Sequence, residues 1–218
     1  MKAIKAVIFD FNGTLVPDTH LHNLAWYGFF RRHGLPQPDE REMFHLHGKT
    51  NSDILSIIFG RRINPAEVKQ LGNEKEEIYR QLFREKHIQL LPGATDLFKW
   101  LKINNIPYTI ATASDRDNVD FYFEHLHLGD FFDRSMVVFN DGNMSGKPDP
   151  ELFNKAIQIL GFPAADTMIF EDSFNGIKAA ENAAAGSIVI VDTHGEDYSA
   201  WSYPKISSFL NFDFSLFG

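Results

Sequence analysis

The 218-residue sequence contains no cysteine. That absence excludes a disulfide framework and thiolate catalysis together. It also lacks any apolar run approaching the roughly 20 residues that a helix needs to cross a bilayer, so no membrane partner is expected. No signal-peptide hydrophobic segment precedes the first apolar stretch, and a cytoplasmic enzyme is the expectation. Positive charge is scarce and unclustered. The 21 Lys and Arg stand against 29 Asp and Glu, a formal net charge of −8, which argues against nucleic acid as a partner. Low-complexity tracts are missing as well. What remains is an ordinary globular composition, 44% hydrophobic, at a length that can bury a substantial core.

The most informative stretch lies at the start. Ile4-Lys5-Ala6-Val7-Ile8-Phe9 is short, apolar and β-branched, as expected of a buried parallel strand. Asp10-Phe11-Asn12-Gly13-Thr14-Leu15 closes it, with Gly13 allowing a sharp turn. Ligands of open α/β sheets sit outside the carboxyl ends of strands, so Asp10 is delivered to where such folds do chemistry. Taken alone, the hexapeptide is no more than an aspartate opening a turn.

The next clear strand, Tyr108-Thr109-Ile110-Ala111 running to Thr112, comes about 100 residues later. A βαβ unit needs only about 30, so a segment is inserted, and its pattern is helical. Helices are expected over 18–33, 39–45, 52–59 and 65–86, with Asn51 as a cap of the third. In the fourth, Gly72-Asn73 is a candidate break, and Glu76, Glu77, Arg80 and Arg84 read as a solvated face. Residues 18–87 are thus expected to form an all-helical cap domain, joined near Pro17 and Gln89 to a core of residues 1–17 and 88–218. Beyond it, helices are expected over 94–104, 117–125, 150–160 and 174–184. These alternate with strands over 136–139, 167–170 and 187–191, which implies a doubly wound parallel sheet in an α/β fold. Phe209, Phe212, Phe214 and Phe217 in the tail are expected to pack internally, as an edge strand or over a helix, which makes the chain a monomer.

Three polar clusters follow the strand ends in order: Thr112-Ala113-Ser114, Gly146-Lys147-Pro148-Asp149-Pro150 and Glu171-Asp172-Ser173. With the Asp10 hexapeptide they make four motifs in sequence. From Lys5 to about Asp192 the chain resembles the haloacid dehalogenase-like superfamily of phosphohydrolases, in its β-phosphoglucomutase-like branch with a helical cap. Phosphoester hydrolysis needs a nucleophile, a cation, oxygen-holding donors and a proton shuttle. The resemblance makes Asp10 the nucleophile, forming an aspartyl-phosphate. Asp10, Glu171, Asp172 and the Asn12 backbone carbonyl would hold Mg²⁺. Lys147 would contact both nucleophile and phosphoryl group, while Thr112, Ala113 and Ser114 would hold phosphoryl oxygens. In the cap, His22 would lie near the acid/base corner, and the loop of Gly48, Lys49 and Asn51 would face the core and the substrate.

One departure stands out. The family carries Asp two residues after the nucleophile; this chain carries Asn12, an amide that cannot shuttle protons. Losing such a shuttle typically costs roughly 10²- to 10⁴-fold in rate. The expectation is therefore a slowed Mg²⁺-dependent phosphatase of a small phosphorylated metabolite, accelerated by Asn12→Asp. A sugar-phosphate mutase is the alternative within the same chemistry, although the mutase arginine near Asn51 is missing. Asn12 also leaves open a phosphonatase using Lys49, or a phosphate-binding protein with weakened turnover. A dehalogenase would not need the Glu171-Asp172 pair.

Overall fold

Strand β1 (Ala6–Phe9) has no exposed residue on either side, so it can only lie in the middle of a sheet covered on both faces. The computed structural model, which describes residues 3–210 and 212–217, places it there. The sheet runs β3-β2-β1-β4-β5-β6, with β2 (Tyr108–Asp115), β3 (Val138–Asn140), β4 (Thr167–Glu171), β5 (Ser187–Val191) and β6 (Lys205–Ile206). Every pairing is parallel.

Alternation along the strands feeds two cores. Val7, Phe9, Met168, Phe170, Val189 and Val191 face one side, under Leu97, Phe98 and Leu101 of helix α5 (Ala94–Ile103) and Val119 and Tyr122 of α6 (Arg116–His125). Ala6, Ile8, Ala111, Ile169 and Ile188 face the other, under α7 (Glu151–Leu160) and α8 (Phe174–Asn182). The sheet is the doubly wound parallel one expected. Its strand order reverses direction at β1 and β4, whose carboxyl ends therefore open a crevice.

Between β1 and α5 the insert folds as α1 (Thr19–Arg32), α2 (Glu40–Phe44), α3 (Asn51–Phe59) and α4 (Pro65–Glu85). Trp26, Phe29, Phe30, Met43, Ile54 and Leu55 pack into a cluster of their own. Capping boxes at Asp39/Glu42 and Thr50/Asp53, and Asn64 before Pro65, set the helix starts. The cap of α3 is Thr50, and Asn51 is its first helical residue. Helix α4 does not break at Gly72-Asn73. A mid-helix glycine costs about 1 kcal/mol, which packing along 21 residues absorbs, and Gly72 is buried beneath Asn51 of α3. Nor is Glu76 on a solvated face: it is 3% exposed.

Strand boundaries also move, β4 reaching Glu171 and β3 spanning Val138–Asn140. Met136 belongs to a 3₁₀ turn, Arg134–Met136, started by Asp133, because its carbonyl is taken by Thr109 Oγ1 at 2.8 Å rather than by a ladder. β2 extends to Asp115, with an irregularity between Thr112 and Asp115 that re-aims Ala113 and Ser114.

The tail packs internally. Phe209 N–H donates to Pro92 O at 2.9 Å, its ring meets Phe170 at 5.5 Å, and Trp100 packs at a tilt against Phe214 and Phe217 at 4.5 and 4.9 Å, although Phe214, unlike Phe209, Phe212 and Phe217, remains 41% exposed. Gly93 makes this approach possible: at φ 84° its missing Cβ would lie 2.5 Å from Leu210 N and 2.6 Å from Phe209 O. A side chain there carries about 1–2 kcal/mol of left-handed strain before any clash. Gly93→Ala should therefore lower Tm by about 4 °C or more and expose the tail to limited proteolysis. An unchanged Tm would mean that the tail is not held against this turn.

Candidate active site

Residues that follow β1 and end β4 meet in the crevice. Asp10 is 5% exposed, Glu171 fully buried and Asp172 8% exposed. One carboxylate oxygen from each lies within 4.8 Å of the others. Lys147, from the loop before α7, donates from Nζ to Asp10 Oδ1 at 2.6 Å and to Glu171 Oε1. Thr14 Oγ1 donates to Asp172 Oδ1 at 3.0 Å, and Ser173 N–H to Glu171 Oε2 at 2.5 Å. Gly13, at φ 82°, has no room for a side chain because Asp172 occupies the place of its Cβ.

One ammonium faces three carboxylates, and the electrostatics record the shortfall. Burial pushes Asp10 up to about 7; Lys147 opposes this and Glu171 adds to it. Burial, then Glu171 and Asp10, push Asp172 well above the carboxylate range. Lys147 behaves oppositely: burial disfavours its charge, but Asp10 and Glu171 outweigh burial and hold it above the ordinary lysine value. A buried, under-compensated set of hard oxygens is the donor chemistry that suits a small divalent cation.

A cavity of about 100 Å³ lies between this cluster and the insert. Asp10, Asn12, His22, Gly48, Lys49, Asn51, Thr112, Ala113, Ser114, Lys147 and Asp172 all border it, while Glu171, expected as a metal ligand, stands behind the wall. His20 is exposed and does not border it. Gly48, at φ 76°, brings its loop onto α8: a Cβ there would lie 2.6 Å from Ser173 Oγ, and Asn175 Nδ2 donates to His47 O at 2.8 Å. Burial, reinforced by His194 and His22, pushes the His47 imidazole down to about 4, so it is neutral at pH 7. Ser114 N–H donates to Thr112 Oγ1 at 3.1 Å.

Asn12 is held on every side. Its Nδ2 donates to Asp18 Oδ2 at 2.7 Å and Tyr122 OH at 2.9 Å, and lies 3.3 Å from Tyr79 OH. Its Oδ1 accepts from Ser114 Oγ at 2.8 Å and Thr112 Oγ1 at 3.4 Å. Asp18 is fully buried. It also accepts from Gly13 N–H at 2.9 Å and from Tyr79 OH. Burial alone would push its carboxyl up, but His22, Tyr79 and Asn12 outweigh burial and hold it below its ordinary value.

Sequence reasoning missed Asp18 and a chain of buried polar groups on α4. Lys75 Nζ lies 2.7 Å from His22 Nδ1 and 2.9 Å from Glu76 Oε1. Glu76 in turn accepts from Asn51 Nδ2 at 2.8 Å and from Asn118 Nδ2 of α6 at 2.7 Å. Burial would raise Glu76, yet Lys75, His22, Asn51 and Asn118 bring it down to about 2. The available signal was spacing: Gly72, Lys75, Glu76, Tyr79 and Phe83 recur at three- and four-residue steps and form one buried stripe.

Protein CbbY of Rhodobacter capsulatus is 30% identical over 94% of this chain and 95% of its own length. Beta-phosphoglucomutase of Bacillus subtilis is 31% identical over 83% and 80%. A crystal structure of an HAD hydrolase, family IA, variant 3, from Entamoeba histolytica superposes with a TM-score of 0.87 and 33% identity, covering 98% of this chain and 97% of that one. The family model for haloacid dehalogenase-like hydrolases matches residues 4–184, and the chain belongs to that family.

Proposed function

We propose that the protein is a Mg²⁺-dependent phosphatase of small phosphorylated metabolites, with Asp10 as its nucleophile. The observation that carries this reading is the buried contact of Asp10 with Lys147, beside Glu171 and Asp172, at the carboxyl ends of the two central strands. Relatives named for phosphatase activity toward phosphorylated carbohydrates and pseudouridine 5′-phosphate support it.

An Asp10 oxygen attacks phosphorus as the ester P–O bond breaks, leaving an aspartyl-phosphate and an alkoxide that takes a proton from water to depart as an alcohol. Water then cleaves the acyl-phosphate to inorganic phosphate and restores Asp10. Lys147 opposes the burial that raises Asp10 and meets the negative phosphoryl oxygens, which Thr112, Ala113 and Ser114 position. Mg²⁺ bound by Asp10, Glu171, Asp172 and the Asn12 carbonyl would neutralise phosphoryl charge. Residues 18–87 act as a cap domain on a core of 1–17 and 88–218, and His22, Gly48, Lys49 and Asn51 contribute the substrate side of the cavity. That cavity of about 100 Å³ is well below the roughly 300–1,000 Å³ of sites for drug-sized ligands. Substrates are therefore compact, or enter by movement of the cap. Asn51 is engaged by Glu76 and no arginine borders the cavity among the described residues, which favours hydrolysis over a mutase that must hold a second phosphate.

Two measurements test the reading. Asp10→Asn should reduce kcat on any phosphomonoester below about 1% of the parent while leaving Tm within a few degrees; substantial residual turnover would remove Asp10 from the chemistry. Mg²⁺ at about 100 times its Kd should stabilise the fold by roughly 2.7 kcal/mol, a Tm increase of about 5–10 °C at this size. Asp172→Ala should abolish that increase. A melting curve indifferent to millimolar Mg²⁺ in the parent protein would count against the metal site.

A further inference from the structure

Asn12 is not a carboxylate position that has simply lost its charge. Its Nδ2 protons are committed to Asp18 and Tyr122, and its Oδ1 to Ser114 and Thr112. Asp18 fixes which way the amide points, because a carboxylate accepts and cannot donate. Turning the amide over would set two acceptors against each other 2.7 Å apart. An aspartate at position 12 meets the same obstacle: its oxygen would face Asp18 Oδ2 with no proton between them, in a pocket where Asp18 is fully buried.

We propose that Asp18 is a positioning residue which holds Asn12 as an amide, so that the carboxylate of this corner resides at position 18 and the two side chains can be exchanged only together. The inference rests on the phosphatase reading for its activity arm and on the hydrogen-bond geometry alone for its stability arm.

The pattern of partners says which substitutions are compatible. In Asp18→Asn one of two acceptor oxygens becomes a donor, and that side chain must serve both Gly13 N–H and the Asn12–Tyr79 pair. Either Gly13 or Asn12 is then left facing a donor. The reciprocal exchange Asn12→Asp/Asp18→Asn conserves the charge and the number of donors. Asn at 18 keeps its oxygen for Gly13 and donates to Asp at 12, which accepts from Ser114, Thr112 and the reoriented Tyr122 hydroxyl. It also sets a carboxyl group on the cavity wall that Asn12 now borders, which in its acid form can protonate a leaving oxygen and, as the carboxylate then left, can activate water. Asn12→Asp alone, the change the motif suggests, supplies the carboxylate without its donor.

The test compares the parent, both single variants and the exchange, each with saturating Mg²⁺. Either single substitution should lower Tm by about 5 °C or more, and the exchange should return to within about 2 °C of the parent. Turnover of an alkyl phosphate should rise at least tenfold in the exchange alone, in kcat with KM within about twofold. An aryl phosphate, whose leaving group needs little protonation, should change far less. Recovery of Tm in the exchange variant, with neither it nor the parent hydrolysing any phosphomonoester, would support the pairing and sink the phosphatase reading. The pairing itself is overturned if Asn12→Asp alone matches the parent in Tm and the exchange in kcat, or if the exchange is no more stable than the singles.

Discussion

Three carboxylates and one ammonium share a pocket almost closed to water, and the rest of the structure is arranged around that imbalance. Burying an ion costs several kcal/mol even after relaxation, so such a cluster persists only where a rigid frame forces it. The frame is the pairing of β1 with β4. The register Phe9↔Phe170 places Asp10 beside Glu171 at the next step, and the stacked rings of these two phenylalanines, 4.9 Å apart, fill the layer beneath. Lys147 relieves two of the three charges, and among the described residues Asp172 has only Thr14 as a side-chain donor. What the protein groups leave uncompensated is the affinity available for a cation and for phosphoryl oxygens.

The helical insert meets the core through two kinds of contact. At its base Leu21, Ala25, Tyr79 and Phe83 belong to the same apolar cluster as Phe11, Val119 and Tyr122 of the core. At its front the contacts are mainly polar, Glu76 with Asn118, Arg80 with Asn118 at 2.8 Å and Asn175 with the His47 carbonyl, with Phe44 edge-on to Phe174 at 4.8 Å beside them. A hydrogen bond contributes only about 0.5–1.5 kcal/mol net, while burying one large apolar side chain contributes about 1.5–3. An opening motion of the kind proposed for the insert would break the front and leave the base intact. The residues bordering the cavity lie on the side of the weaker contacts, where access can change without unfolding.

How much of this was legible followed from the range of the interactions. β5 matched its expected span, and α7 stops at Gly161 with φ 75°, because apolar runs and left-handed glycines act locally. Asp10, Lys147, Glu171 and Asp172 could be singled out because each follows a strand or opens a helix within a few residues. Lys75 and Glu76 could not, because adjacent charges on a long helix ordinarily face solvent. Their burial depends on His22, Asn51 and Asn118, contributed by three other helices. The same dependence explains why Gly72 looked like a break. Helix α4 is held by what packs on it, not by propensity alone.

Asn12 shows the limit of reading a motif one position at a time. In sequence it is a carboxylate exchanged for an amide, and the inference from that is lost chemistry. In the fold the amide is a donor fitted to a buried anion six residues away, which also takes the backbone N–H of Gly13 at the turn that brings Thr14 to Asp172. Charge in this corner has moved within a network whose other members, Tyr79, Tyr122, Ser114 and Thr112, can each donate or accept. Such hydroxyls tolerate the reversal of a neighbouring hydrogen bond, whereas Asp18 and the Gly13 N–H tolerate none. The identity of residue 12 is therefore set less by the reaction it faces than by the two groups behind it that cannot change their role.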